Sequence, residues 1–177
     1  MRKLLVVIDV QNDFFDGSLG TPQARAIVEN VRKKIQSYPV SDVIYTMDTH
    51  GEDYLDTPEG RKLPVPHCIK GTNGWQIQPD IRPLLEGARC YEKPAAGCFE
   101  LVEDLQNMWE KEEIELEMIG LCTDVCVVYN AMLMKTYMPQ MKITVDAACC
   151  AGMTPEKHRE ALETMREAGI EITQSPE

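Results

Sequence analysis

Residues 116–126 read Leu116-Glu117-Met118-Ile119-Gly120-Leu121-Cys122-Thr123-Asp124-Val125-Cys126. A short apolar run, Leu116–Ile119, passes through a glycine and turns at once to helical spacing, with Cys126, Tyr129 and Leu133 on one stripe. A strand feeding straight into a helix is half of a βα unit, and the same alternation recurs along the chain. Further strand-like runs lie at Leu4–Ile8, Val43–Thr46 and Ile143–Val145, with a fainter one at Arg89–Glu92. Between them, Ala24, Ile27, Val28, Val31 and Ile35 form one helical stripe, and Phe99, Val102, Leu105 and Trp109 form another. A last helix opens on Thr154 as N-cap with Pro155 at its first position, runs to Ala168 and stops at Gly169. Alternation of this kind predicts a three-layer α/β/α fold around a central, mostly parallel sheet. Strands apolar throughout, rather than alternating, predict burial on both faces.

The chain has 177 residues, enough for one domain over 1–177. Apolar residues make up 44% and charged residues 27%, ordinary globular values. With 29 acidic against 18 basic side chains the formal charge is −11. A phosphate surface repels such a chain, which excludes nucleic acid and anionic membranes as natural partners. Leu4–Ile8 is far too short for a membrane span and lacks a signal-peptide cleavage pattern. Seven cysteines, an odd count with no CxxC pair, argue against a disulfide framework or a zinc knuckle. The expectation is a reduced cytoplasmic protein in which most cysteines are small buried hydrophobes.

Right-handed crossovers align the carboxyl ends of parallel strands along one edge, where open α/β sheets bind ligands. The first strand ends in Asp9, the second in Asp48-Thr49-His50, the third leads to Lys93, and the fourth leads to Cys126. Singly, each has a structural explanation: a turn cap, a solvated ammonium, a core thiol. Together they make an activated-nucleophile constellation for acyl transfer, with Asp9 as acid/base. If the helix begins near Thr123, Cys126 falls in its first turn. There the helix dipole and a nearby Lys93 are expected to lower the thiol pKa. Backbone amides of the Leu121–Cys126 turn can serve as an oxyanion hole.

Asp48, His50 and His67 form a second group. An Asp-x-His pair at a strand end projects to one side, and prolines stiffen the His67 loop. One carboxylate and two imidazoles suit Zn, Mn or Fe, against the alternative of hydrogen-bonded loop histidines. His158, on the last helix, reads as a surface residue.

Four segments together resemble the isochorismatase-like cysteine hydrolases, and their nicotinamidase branch in particular. They are Asp9-Val10-Gln11-Asn12-Asp13-Phe14, Asp48-Thr49-His50, Pro66-His67-Cys68-Ile69-Lys70-Gly71-Thr72 and Gly120-Leu121-Cys122-Thr123-Asp124-Val125-Cys126-Val127. Lys93 with Gly97-Cys98-Phe99 matches the family's lysine segment, Gly97 standing where Ser is common. The resemblance runs from Leu4 to about Ile172. It implies a triad of Asp9, Lys93 and Cys126, an oxyanion hole from the amides of Cys122 and Cys126, and a cis peptide just before Cys122. It implies a divalent metal, zinc first and Mn or Fe as alternatives, on Asp48, His50 and His67. The family's further histidine is missing from Gly51–Asp56, so Glu59 becomes the candidate fourth ligand, with Asp56 second. Phe14, Trp75 and Leu121 are the implied substrate contacts.

The implied reaction is hydrolysis of a small neutral primary amide, nicotinamide first, to the acid and ammonia through a thioester, which would place the chain in NAD salvage. Relatives acting on carbamoyl or ureido substrates generally lack the metal set, and isochorismatases proper lack the cysteine. A non-catalytic thiol-redox protein built on Cys122 and Cys126 is the reading from a different class. Homo-oligomers are common in the family, but no interface can be read from the sequence. Cys90, Cys149 and Cys150 are assigned to the core.

Overall fold

The computed structural model describes residues 1–174. Six strands form one sheet: β1 (Arg2–Ile8), β2 (Val43–Asp48), β3 (Arg89–Lys93), β4 (Ile114–Leu121), β5 (Ile143–Ala151) and β6 (Glu171–Thr173). Their order is β3-β2-β1-β4-β5-β6, and every pairing is parallel. The sheet is thus wholly parallel among the described residues, and β6 is a short strand that hydrophobic patterning did not mark. Seven helices connect the strands: α1 (Asn12–Phe15), α2 (Pro22–Ala26), α3 (Val28–Gln36), α4 (Pro58–Lys62), α5 (Phe99–Trp109), α6 (Val128–Tyr137) and α7 (Pro155–Glu167). The last begins as its sequence dictates, with Thr154 Oγ1 accepting from Lys157 N at 3.2 Å, and ends before Gly169 at φ +84°.

Alternate residues of β1 serve opposite faces. Leu4, Val6 and Ile8 pack with Leu101, Val102 and Leu105 of α5, Met134 of α6 and Met165 of α7. Leu5 and Val7 pack with Phe14, Ala24, Val31 and Ile35 on the other side. Both faces of the sheet are therefore covered, and each fully buried aliphatic side chain contributes about 1.5–3 kcal/mol.

The order places a topological switch between β1 and β4: the chain builds outward through β2 and β3, then crosses back to start β4 beside β1. Asp9 follows β1 and Cys126 lies just beyond β4, so the two flank that crevice. Gly120 faces Ile8 across the switch, at φ +121°. A Cβ there would lie 2.1 Å from the Ile8 carbonyl oxygen, so only glycine permits this approach. Register completes the edge, because Asp48 pairs directly with Lys93.

Two expectations about burial are corrected. Cys90 is exposed, because β3 is an edge strand, whereas Cys149 and Cys150 are buried. Phe99 and Tyr129 are exposed rather than core. Thr123–Val127 is a π-helical turn, with Val127 N–H donating to Cys122 O. From it into α6 the buried face is Cys126, Val127, Asn130, Ala131 and Met134, an ordinary i, i+3/i+4 stripe that leaves Tyr129 outside it.

Candidate active site

Lys93 is fully buried at the end of β3 and ties the constellation together. Its Nζ donates to Cys126 Sγ at 3.3 Å, to Asp48 Oδ1 at 3.4 Å and to the Ala95 carbonyl at 3.1 Å. Asp9 Oδ2 lies 2.7 Å from the same nitrogen, the shortest of the Lys93 contacts and an ion pair. The other oxygen, Oδ1, accepts from Thr46 Oγ1 at 2.6 Å. Asp9 is also held at φ +47°, a left-handed conformation that Asp tolerates better than most residues.

Burial, then Asp48, pushes the Asp9 carboxyl above its ordinary range, although Lys93 opposes the shift. Burial works against the Lys93 charge, but Asp9, Cys126 and Asp48 outweigh it and raise its pKa. The expected thiol is corrected here. Burial and the Asp9 carboxylate push Cys126 well above an ordinary cysteine, and the pull of Lys93 does not compensate. The Cys126 thiol thus sits beside a buried carboxylate and a buried ammonium.

Asp48 ends β2, and His50 follows in a short bridge to Ile69. Asp48 Oδ2 lies 3.0 Å from His50 Nε2 and 3.4 Å from His67 Nε2. Burial opposes ionisation of Asp48, but the two imidazoles and Lys93 outweigh it and hold the carboxyl well below the usual range. His67 Nδ1 faces the Val65 carbonyl at 2.8 Å. A carbonyl only accepts, so the Nδ1–H donates to Val65 O and leaves Nε2 toward Asp48. Asp48, His50 and His67 offer one ligand atom each, all within 4.8 Å of one another, a donor set that could hold a divalent metal ion. Glu59, one position into α4, brings Oε1 to 3.8 Å from His50 Nε2 and 3.9 Å from His67 Nε2. Asp56 is exposed on the preceding turn.

Several supporting residues were not singled out by sequence. Gln11 is fully buried; its Nε2 donates to Asp48 O at 2.8 Å and its Oε1 accepts from Asp48 N at 2.8 Å. Asn130, also fully buried, accepts from Cys98 N and donates to Ala96 O and Cys126 O, at 2.8, 2.9 and 2.8 Å. Tyr54 packs edge-on against His50 and His67, with ring centroids 4.8 and 5.1 Å away. The available signal was a polar side chain inside an apolar stripe, as at Asn130. His158 is corrected from surface residue to anchor: Nδ1 sits 2.7 Å from Oγ1 of fully buried Thr123, and burial lowers its pKa.

A cleft of about 770 Å³ opens onto Cys122, Cys126, Asp48, His67, Glu59 and Phe14. Cys122 is the N-cap of the π turn, and the Leu121–Cys122 peptide is cis, as the resemblance implied. Leu121 is fully buried behind the site, and Trp75 turns its Nε1 to Thr49 Oγ1 at 2.9 Å. Neither side chain lines the cleft.

The isochorismatase domain matches residues 3–177. The chain belongs to the isochorismatase family. This family member is 29% identical over 186 positions to the nicotinamidase/pyrazinamidase of Mycobacterium tuberculosis, covering 96% of this chain and 97% of that protein. The crystal structure of nicotinamidase/pyrazinamidase PncA from Bacillus subtilis has a TM-score of 0.83 at 29% identity, over 98% of this chain and 100% of that one. N-carbamoylsarcosine amidase from Thermoplasma acidophilum has a TM-score of 0.78 at 28% identity, over 100% of this chain and 98% of that one.

Proposed function

We propose that this isochorismatase-family hydrolase is a metal-dependent cysteine amidohydrolase that converts nicotinamide to nicotinate and ammonia. The reaction class is cleavage of an amide carbon–nitrogen bond. The observation that carries the reading is a single one: Cys126 Sγ and Asp9 Oδ2 lie 3.3 and 2.7 Å from the Lys93 ammonium, and Cys126 opens onto the same cleft as Asp48 and His67. The similarity to two nicotinamidase/pyrazinamidases supports the substrate. The three-residue donor cluster favours it over a carbamoyl substrate.

In this reading Asp9 takes the Cys126 proton, and its raised pKa suits both acceptance and return. The thiolate, paired with Lys93, attacks the amide carbon and forms the C–S bond. The developing oxyanion is received by the backbone N–H groups of Cys122 and Cys126, at the N-cap and within the π turn that follows β4. Asp9 returns its proton to the departing nitrogen as the C–N bond breaks. A water then gives a proton to Asp9 and its oxygen to the thioester, and the thiol leaves with that proton. Asp48, His50 and His67, with Glu59, would hold the divalent ion, zinc first, which supplies a Lewis acid for the ring nitrogen. Phe14, edge-on to His67 at 5.8 Å, flanks the ring.

The test is ammonia release from nicotinamide and pyrazinamide, with metal analysis of the same sample. Turnover is expected in the metal-loaded protein and is lost in Cys126→Ala with an unchanged circular dichroism spectrum. Full turnover in that variant, or none in the loaded wild type, would overturn the reading.

A further inference from the structure

The cleft is larger than the reaction needs. At about 770 Å³ it falls in the range of sites that enclose drug-sized ligands, whereas a single ring bearing a carboxamide is a small fragment. Part of its lining is the site described above. A second part, the outer one, comes from the π turn, α6 and α7, including Val125, Val128, Tyr129, Ala161 and Thr164. Val125 and Tyr129 precede and follow Cys126 by one and three residues, yet they are 38% and 58% exposed. Both lie off the buried face formed by Cys126, Val127, Asn130, Ala131 and Met134, so an aromatic ring stands toward solvent close in sequence to Cys126. A tyrosine in that position offers a rigid stacking face at low entropic cost. The rim carries charges of both signs, Lys62 and Lys157 against Asp124 and Glu160, so it selects no net charge in what it binds.

Resting on the amidase reading, we infer that this outer cleft is a second substrate subsite. It takes an uncharged aromatic group carried on the acyl part of a primary carboxamide, so the preferred substrates are larger than nicotinamide. Tyr129 is the specificity-determining residue, stacking on that group while the amide reaches Cys126.

The experiment compares nicotinamide with 5-phenylnicotinamide. Binding is measured calorimetrically on Cys126→Ala, alone and combined with Tyr129→Ala, Tyr129→Phe or Thr164→Trp, and turnover on the chain with Cys126 intact. The phenyl compound is expected to bind roughly 10- to 100-fold more tightly, the span given by burying one aromatic ring. Tyr129→Ala and Thr164→Trp should erase most of that gain, Tyr129→Phe should keep it, and nicotinamide binding should stay within about twofold. Equal binding of the two amides, or equal losses for both in Tyr129→Ala, overturns the subsite. Absence of nicotinamide hydrolysis overturns the amidase reading instead, and the binding ratio separates the two failures.

Discussion

Lys93 Nζ lies 3.4 Å from Asp48 Oδ1 and 3.3 Å from Cys126 Sγ, so one buried ammonium touches both the thiol and the donor cluster. The register of β2 against β3 produces this, since Asp48 and Lys93 are direct partners. The two groups of titratable residues are thus one electrostatic unit, in which Lys93 offsets the charges of Asp9 and Asp48.

Replacing Lys93 by Met keeps the volume and removes that charge. Two buried carboxylates are then left uncompensated, a class of change that costs about 3–5 kcal/mol. We expect Lys93→Met to abolish ammonia release and to lower the thermal midpoint well beyond the effect of Cys126→Ala. A variant as stable as the wild type would show that Asp9 and Asp48 are not both ionised in the resting site.

Asn130 joins the segment after Lys93 to the turn that carries Cys126, through Ala96, Cys98 and the carbonyl of Cys126. It touches no substrate position, so its removal should misplace Cys126 relative to Lys93 rather than weaken binding. A displacement of about 1 Å can cost on the order of 100-fold in rate. Asn130→Ala should therefore lower kcat by roughly 10- to 100-fold with KM little changed. A loss confined to KM would place Asn130 in substrate binding instead.

The parallel α/β/α architecture, the strand-end acids, Lys93 and Cys126 were legible because each rests on local pattern: apolar runs, helical spacing, and a polar residue where a run stops. The phase of α6 was not, because Cys126 shares a helical stripe equally well with Tyr129 and with Asn130, and hydrophobicity favoured the tyrosine over the buried amide. The thiol pKa was misjudged for another reason. Helix position and a lysine neighbour are visible in sequence, but the depth of burial and the approach of Asp9 arise only when β1 and β4 meet at the switch point. His158 and Gln11 were missed because their partners, Thr123 and Asp48, are 35 and 37 residues away.

The donor cluster predicts graded metal loss. His50 and His67 are buried and held by Asp48, whereas Glu59 is half-exposed and stands farther off. His50→Ala should lose bound zinc outright. Glu59→Ala should weaken affinity by about 10- to 100-fold, the scale of a peripheral contribution. Zinc at 100 times its Kd should stabilise the wild type by about 2.7 kcal/mol, and His50→Ala should show no such shift. Unchanged metal content in His50→Ala removes that residue from the ligand set.

At the far side of the sheet Glu117 accepts from Lys34 Nζ at 2.6 Å and from the Tyr38 hydroxyl. Burial works to raise its pKa, but Lys34 and Tyr38 outweigh it and hold the carboxyl below its ordinary value of 4.5. A carboxyl depressed in the folded state adds stability above the unfolded pKa and loses it as pH falls through the folded one. The wild type should therefore destabilise on acidification from about pH 5 downward. Glu117→Gln should remove that component of the slope and cost about 1–3 kcal/mol at pH 7, the value of a charge-assisted hydrogen bond. Lys34 keeps Asp146 at 2.8 Å in the variant, so the fold should persist and the comparison remain readable. Urea unfolding at pH 4, 5 and 7 measures the difference, and an identical pH slope in both proteins would place the acid sensitivity elsewhere.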